Sequence, residues 1–383
     1  MQNKHKADAV FEGGGVKGIA LLGALSEMEK YWTWENVAGT SAGAIVASFT
    51  AVGMSATEIR GILDKINLTE LTDEAWEDKL DRLVTMLNPA SRFPILKRLP
   101  LIGRFFATAS SILDHPISII KDFGIFEGNR FVDLVNENLP KHIRTFGVAD
   151  ILYEKEAPKT GPGSRYRYKL RVIASDITAN RMIILPQDIH YYGYDPDDLE
   201  IATALRMSMS IPVFFEPYRL KNRNTGQEHL IVDGGILSNY PVWLFDAPVG
   251  TDPQWPTFGF DLYRPADEAD GEAPWPQHLN DINNIFDFAK AIWNTMFSAV
   301  DRRYIAKRHW ARTIPIDNLG FTATDFNLSN EDKGNLWDSG VEAAEQFMKN
   351  WGDPKRGFEA WKNQYRGEVE DAQRRAQQLA PQP

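Results

Sequence analysis

Two glycine-rich turns within the first 53 residues constrain the fold of this chain more than any other feature of its sequence. The first, FEGGGVKG, joins a short apolar run at 8–12 to an apolar stretch at 18–32 that is typical of a helix. The second, GTSAG, joins a short strand at 36–41 to a helix of small and apolar residues at 42–53. Later strands are predicted at 166–178, 229–235 and 256–263. This repeated strand–turn–helix pattern predicts an α/β fold, a three-layer α/β/α sandwich with a mostly parallel sheet.

The first glycine turn has two interpretations. Gly13, Gly15 and Gly18 fit the G-x-G-x-x-G fingerprint of a dinucleotide-binding loop. The same residues, with Gly14 and Lys17, also fit a nest of backbone N–H groups that stabilises the oxyanion of a tetrahedral intermediate. Both interpretations place an anion at this loop, because glycines let the backbone approach negative charge and a helix start supplies unpaired N–H donors.

The second glycine turn favours acyl-transfer chemistry. Gly39, Ser41 and Gly43 fit G-x-S-x-G, the nucleophile elbow, in which a sharp strand-to-helix turn exposes the serine hydroxyl. The glycines remove Cβ atoms that would clash in so tight a turn. The plainer alternative is an N-cap serine flanked by glycines. A dinucleotide loop would require an acidic residue at the end of the second strand, where Gly39 and Ser41 stand instead.

A serine nucleophile requires a general base, and Asp233 is the predicted one. It follows an apolar run in IVDGG, and two glycines then free the backbone to bring its carboxylate toward a neighbouring strand end. An aspartate that bonds its own turn is the alternative. His278 and His309 fit the chain order of a Ser–acid–His triad, but neither lies between a strand and a loop.

Composition excludes several classes of function. The net charge of −10 argues against binding to nucleic acid, and the absence of cysteine excludes disulfides and thiolate catalysis. The N-terminal MQNKHKADAV lacks the apolar region of a secretory signal, and no run of about 18 apolar residues predicts a membrane span. We therefore expect a location in the cytoplasm or at the periphery of a membrane.

The organisation predicted from these patterns is a catalytic domain at 1–262, a helical extension at 263–365 that packs on the core, and a polar tail at 366–383. Within the catalytic domain, a cap or insertion is predicted at 88–165, where the α/β pattern weakens. Apolar residues at helical spacing between 282 and 300 predict one helix of the extension.

The predicted cap contains a candidate surface for lipid. Residues 90–110 carry four cations, no acid and many large apolar side chains, in a chain that is otherwise acidic. This combination suits an anionic membrane surface, and equally suits the basic edge of a packed insertion. The candidate lipid contacts are Arg92, Lys97, Arg98 and Arg104.

Taken in order, these motifs resemble those of the patatin-like phospholipases, lipid acyl hydrolases with a Ser–Asp dyad. The glycine loop at 13–18, the serine turn at 39–43, SMSIPVFFEP at 208–217 and the DGG at 233–235 match four blocks of that family. The resemblance covers about residues 7–262, with 88–165 and the C-terminal third poorly matched.

The resemblance implies a phospholipase A or lysophospholipase in which Ser41 is the nucleophile and Asp233 the base. It further implies that the loop at 13–18 forms the oxyanion hole, that neither cofactor nor metal is needed, and that the partner is a lipid ester at a membrane surface. Lys17 would then face a lipid phosphate or lie at the surface. Oligomeric state is not indicated. An acyltransferase on a similar core and a Rossmann-type nucleotide-binding protein remain the alternatives.

Overall fold

A computed structural model describes residues 4–64, 124–126, 128–160, 163–164, 167–247, 251–263, 291, 295, 311–321, 328–351 and 357–363. The strands are β1 (His5–Phe11), β2 (Trp32–Thr40), β3 (Gly124–Phe126), β4 (Leu170–Asp176), β5 (Arg181–Leu185), β6 (Val213–Phe215), β7 (Tyr218–Lys221), β8 (Glu228–Asp233), β9 (Thr257–Tyr263) and β10 (Thr313–Asp317). The helices are α1 (Gly18–Met28), α2 (Ala42–Ala51), α3 (Ala56–Leu63), α4 (Asn129–Asn138), α5 (Ile201–Ser208) and α6 (Asn330–Trp351). The fold is an α/β sandwich, as the sequence predicts.

The main sheet is mixed, with a parallel centre. Its strands follow the order β10-β9-β1-β2-β4-β8-β7, and β5 also pairs with β4. Each neighbouring pair from β10 to β4 is parallel, whereas β4 pairs antiparallel with both β5 and β8, and β7 with β8. β3 and β6 form a separate parallel pair. Because β1 and β2 are parallel, their carboxyl ends lie on the same side of the sheet, and so do the glycine turns that follow them.

Burial explains why these segments form strands. All seven residues of β4 are buried, and so are the last five residues of β1 and of β2. Near-continuous burial is typical of strands that are covered on both faces. Phe11 and Phe260 stack across β1 and β9 with ring centroids 4.6 Å apart, next to the start of the glycine loop.

Two helices cross closely on one layer of the sandwich. A Cβ atom at Gly23 of α1 would lie 2.0 Å from the carbonyl oxygen of Trp337, and one at Gly340 of α6 would lie 2.0 Å from that of Ala20. Glycine at these two positions lets the backbones approach. α1 ends at Met28 rather than at residue 32, because residues 29–31 form a turn that leads into β2 at Trp32.

The region beyond residue 262, predicted to be a helical extension, is described in part by the structure. It contributes a strand as well as a helix, since β10 pairs parallel with β9 from Thr313 to Asp317 and forms an edge of the main sheet. Pairing with the buried strand β9 makes β10 part of the main sheet. The helix predicted at 282–300 lies almost entirely outside the described residues, apart from 291 and 295.

Candidate functional site

Ser41 occupies a strained turn between β2 and α2. Its backbone has φ 53° and ψ −126°, a conformation that residues other than glycine rarely adopt and that costs about 1–3 kcal/mol. Its N–H donates to the Oγ of Ser208 at 2.9 Å, and its carbonyl accepts from the N–H of Ala44 at 2.9 Å. The side chain of Ser41 lies at the end of the strand, in surroundings that leave the residue 2% exposed.

The two glycines of this turn are explained by close backbone packing. A Cβ atom at Gly39 would lie 2.3 Å from the carbonyl oxygen of Gly43. One at Gly43 would lie 2.3 Å from the carbonyl oxygen of Glu12, at the start of the glycine loop. Both glycines therefore let the first turn of α2 pack directly against the ends of β1 and β2.

Strand direction brings Asp233 to Ser41. β2 runs parallel to β4 and ends with Thr40 opposite Ile173, whereas β8 runs antiparallel to β4 and ends with Asp233 opposite Ala174. β5 occupies the other edge of β4, so β2 and β8 share one edge and approach along it from opposite directions. The two strands stop at adjacent positions of β4, and their last residues meet there.

Burial controls the charge of Asp233. The residue is fully buried, which raises the pKa of its carboxyl from 3.8 to about 7, and the nearby Ser41 side chain and the N–H of Gly235 offset only part of this shift. Oδ1 accepts the Gly235 N–H at 2.8 Å. Within the described chain, Oδ2 has no partner at good hydrogen-bond geometry, although the Ser41 side chain is near enough to lower the pKa. Such contacts are often long before substrate binds.

Each glycine of the triple-glycine loop has a separate structural reason. A Cβ atom at Gly13 would lie 2.2 Å from the Oδ1 of Asn239, and one at Gly14 would lie 2.3 Å from a methyl group of Leu262. Gly15 has φ 56°, a left-handed conformation that favours glycine. The loop is therefore shaped by its neighbours as well as by its own turn.

The N–H groups of this loop differ in whether they have an acceptor within the protein. The N–H of Gly13 donates to the carbonyl of Asn239 at 3.1 Å, that of Lys17 donates to Gly14, and that of Gly18 donates to Gly15. These three N–H groups therefore have acceptors within the protein. In the part of the chain that the structure describes, the N–H groups of Gly14 and Gly15 have no acceptor. The Lys17 side chain is half-buried.

Buried residues that were not predicted as site residues form hydrogen bonds around Ser41 and Asp233. The Asp233 N–H donates to the carbonyl of Ser210 at 2.9 Å. The Thr40 hydroxyl donates to the carbonyl of Ser238 at 2.9 Å. The side chain of Asn239 bonds the start of the glycine loop. Ser208 and Ser210 lie in the SMSIPVFFEP segment, so a sequence signal existed for them. Their partners are backbone groups of distant segments, and the sequence contains no sign of those contacts.

Other predicted features lie elsewhere or outside the described ranges. The candidate lipid contacts at 92–104, and His278 and His309, are not among the described residues. The described residues contain no cluster of three or more histidine or acidic side chains that could hold a metal ion. No helix in the described segments is both long and apolar enough to cross a bilayer.

A cleft of about 330 Å³ lies apart from Ser41 and Asp233. It is lined in part by Asp8, Asn36 and Arg171, from the middle of β1, the middle of β2 and the start of β4. Its polar residues bond one another, since Asn36 donates to Asp8 through both its backbone and its side chain. Burial raises the pKa of Asp8 to about 7. This cleft has no part in the arrangement around Ser41.

Comparison with known proteins gives a family match, related sequences and a solved structure. The family model described as Patatin-like phospholipase matches residues 9–246. The uncharacterized protein YqhO of Bacillus subtilis is 35% identical over 348 residues, 90% of this chain and 98% of YqhO. "Probable lipid hydrolase 463L" of Invertebrate iridescent virus 6 is 24% identical over 248 residues, 63% of this chain and 64% of that protein. VipD from Legionella pneumophila has a solved structure that is 19% identical, with a TM-score of 0.45 over 91% of this chain and 67% of VipD.

Proposed function

Because this chain belongs to the patatin-like phospholipase family, we propose that it is a lipid acyl hydrolase with Ser41 as nucleophile and Asp233 as general base. The observation that carries the proposal is that β2 and β8 end next to each other along one edge of β4, with the Ser41 side chain close enough to Asp233 to lower its pKa. The name of the viral relative, a probable lipid hydrolase, is in agreement with lipid ester hydrolysis.

The chemistry follows from the two side chains. The Asp233 carboxylate takes the proton of the Ser41 hydroxyl as Oγ attacks the ester carbonyl carbon, and the carbonyl oxygen becomes an oxyanion. The tetrahedral intermediate collapses, the ester C–O bond breaks, and the leaving alkoxide takes the proton from Asp233. Water then attacks the acyl-enzyme with Asp233 again as base. The carboxylic acid is released, and the Ser41 hydroxyl recovers its proton.

Two features of the site suit this chemistry. A carboxyl with an ordinary pKa of about 4 is a weak base at neutral pH, and burial raises that of Asp233 to about 7, so that no histidine is required. The N–H groups of Gly14 and Gly15 are the proposed oxyanion donors. Loss of one such donor typically costs about 3–4 kcal/mol of transition-state stabilisation.

The experiment compares acyl release from a panel of defined phospholipids and lysophospholipids by the wild type, Ser41→Ala, Asp233→Asn and the double variant. Each single change should lower hydrolysis by about 10³-fold or more, and the double variant should lose little further activity, because residues that act as one unit are not additive. The panel also identifies the acyl position and head group. A fluorophosphonate probe should label the wild type and leave Ser41→Ala unlabelled.

His278→Ala and His309→Ala are the controls for a triad. Both variants should keep activity within a few-fold of the wild type. A loss at either position that matched the loss at Ser41, in a folded protein, would replace the dyad by a triad. Retention of wild-type hydrolysis in Ser41→Ala would exclude the proposed mechanism.

A further inference from the structure

Asn239 lies six residues beyond Asp233 and is 1% exposed. Its side-chain Nδ2 donates to the carboxylate of Glu12 at 2.8 Å and to the carbonyl of Gly13 at 3.0 Å. The backbone carbonyl of Asn239 accepts a hydrogen bond from the N–H of Gly13 at 3.1 Å. Three buried hydrogen bonds thus connect one residue of the Asp233 loop to the start of the glycine loop.

These bonds fix the position of Gly13, the first glycine of the loop. Both the N–H and the carbonyl of Gly13 are held by Asn239, whereas the next two N–H groups, of Gly14 and Gly15, have no acceptor among the residues described. The position of those two N–H groups relative to Ser41 therefore depends on the anchored Gly13. Displacement of an N–H donor by a fraction of an ångström weakens a preorganised oxyanion site.

The same segment also holds the end of β2. The Thr40 hydroxyl donates to the carbonyl of Ser238, the neighbour of Asn239. Glu12 completes the arrangement, because its carboxylate accepts from Asn239 and from the backbone N–H of Leu262 in β9. The loop after Asp233 is thus bonded to both glycine turns of the chain.

We propose that Asn239 is a positioning residue that aligns the oxyanion-binding N–H groups of Gly14 and Gly15 with Ser41. The proposal rests on the function proposed above. The side chain of Asn239 bonds Glu12 and Gly13, and it acts on the two N–H groups through Gly13. Glycine at position 13 is then required by Asn239, whose Oδ1 would lie 2.2 Å from a Cβ atom there.

The principal test is Asn239→Ala, with Asn222→Ala as the matched control. Asn222 is another buried asparagine, which bonds the backbone of Asn224 and Thr225 in the turn after β7, and it has no contact with the glycine loop. With a soluble ester, Asn239→Ala should lower kcat by about 10²-fold, the scale of one lost oxyanion donor, and leave KM within about twofold. Asn222→Ala should keep the wild-type kcat per folded molecule.

Two further measurements distinguish a positioning role of Asn239 from a general loss of packing around the site. A trifluoromethyl ketone, which adds Ser41 to form an oxyanion, should bind more weakly in Asn239→Ala in proportion to kcat. The inflection of kcat/KM with pH should stay near that of the wild type, because Asp233 remains buried. A shift of that inflection toward pH 4 would show that water had entered the site, and would assign Asn239 a structural role only.

A second variant keeps the test valid if Asn239→Ala fails to fold. Gly13→Ala places a methyl group against Oδ1 of Asn239 and should lower kcat similarly. The double variant should be no worse than either single change, since alanine at 239 frees the space. The positioning role is overturned if the wild type is labelled by a fluorophosphonate and Asn239→Ala is labelled equally fast. If the wild type itself is not labelled, the proposed function fails and this role fails with it.

Discussion

The pH dependence of hydrolysis is the most direct test of the buried base. In the proposed mechanism Asp233 must be ionised to take the Ser41 proton, and burial raises the pKa of its carboxyl to about 7. At pH 5 about 1% of such carboxyls are ionised, against about 90% at pH 8, whereas a carboxyl with its ordinary pKa would be almost fully ionised at both. We expect kcat/KM for a soluble ester to fall about 90-fold from pH 8 to pH 5, at one decade per pH unit below the inflection.

The assay requires a control, because burial also raises the pKa of Asp8 to about 7. Asp8→Asn keeps an oxygen that can accept from Asn36, and it lies away from Ser41. This variant should retain both the activity and the inflection of the wild type. A profile that is flat between pH 5 and 8, or an inflection that moves in Asp8→Asn, would refute the assignment of a raised pKa to the catalytic base.

The same shift has a consequence for stability, with a defined sign. A carboxyl whose pKa is raised on folding binds its proton more tightly in the native state than in the unfolded state. The contribution of Asp233 to the free energy of unfolding is therefore greatest below pH 4, and it falls as pH rises toward 7. Asp233→Asn removes that loss and should stabilise the protein at pH 8 by at most about 4 kcal/mol. Urea unfolding of the wild type and Asp233→Asn at pH 5 and pH 8 measures it, and a stabilisation as large at pH 5 as at pH 8 would contradict it.

Two further predictions concern the turn and the helix crossing. Ser208→Ala leaves the buried N–H of Ser41 without its acceptor, and it should lower the rate of fluorophosphonate labelling by about tenfold. An unchanged rate would mean that the strained turn does not depend on this bond. Gly340→Ala forces a methyl group against the carbonyl of Ala20 and should lower Tm by several degrees, since overpacking costs about 1–3 kcal/mol. Gly334→Ala, in the same helix with no atom within 4 Å of the new methyl group, should keep or raise Tm, and equal losses in the two variants would contradict the close crossing.

The local elements were predictable from the sequence because their signals are local. Apolar runs bounded by glycines predict β1, α1, β2 and α2 in order, and the structure has all four. The end of α1 was placed four residues too late, since residues 29–31 form a turn that no glycine or proline marks in the sequence. The sheet position of β10 was missed, because a five-residue edge strand is defined by its partner β9 rather than by its own sequence.

The sequence by itself determined the chemical groups of the candidate site: a serine in a glycine-flanked turn, an aspartate before two glycines, and a loop of three glycines. These follow from steric requirements that act over a few residues. Only the tertiary structure decided that β8 meets β2 head-on at β4, that Asp233 is fully buried, and that Asn239 holds Gly13. The physical reason is that burial, which controls the pKa, and hydrogen bonds such as that between Thr40 and Ser238, 198 positions apart, depend on segments that meet only in the folded chain.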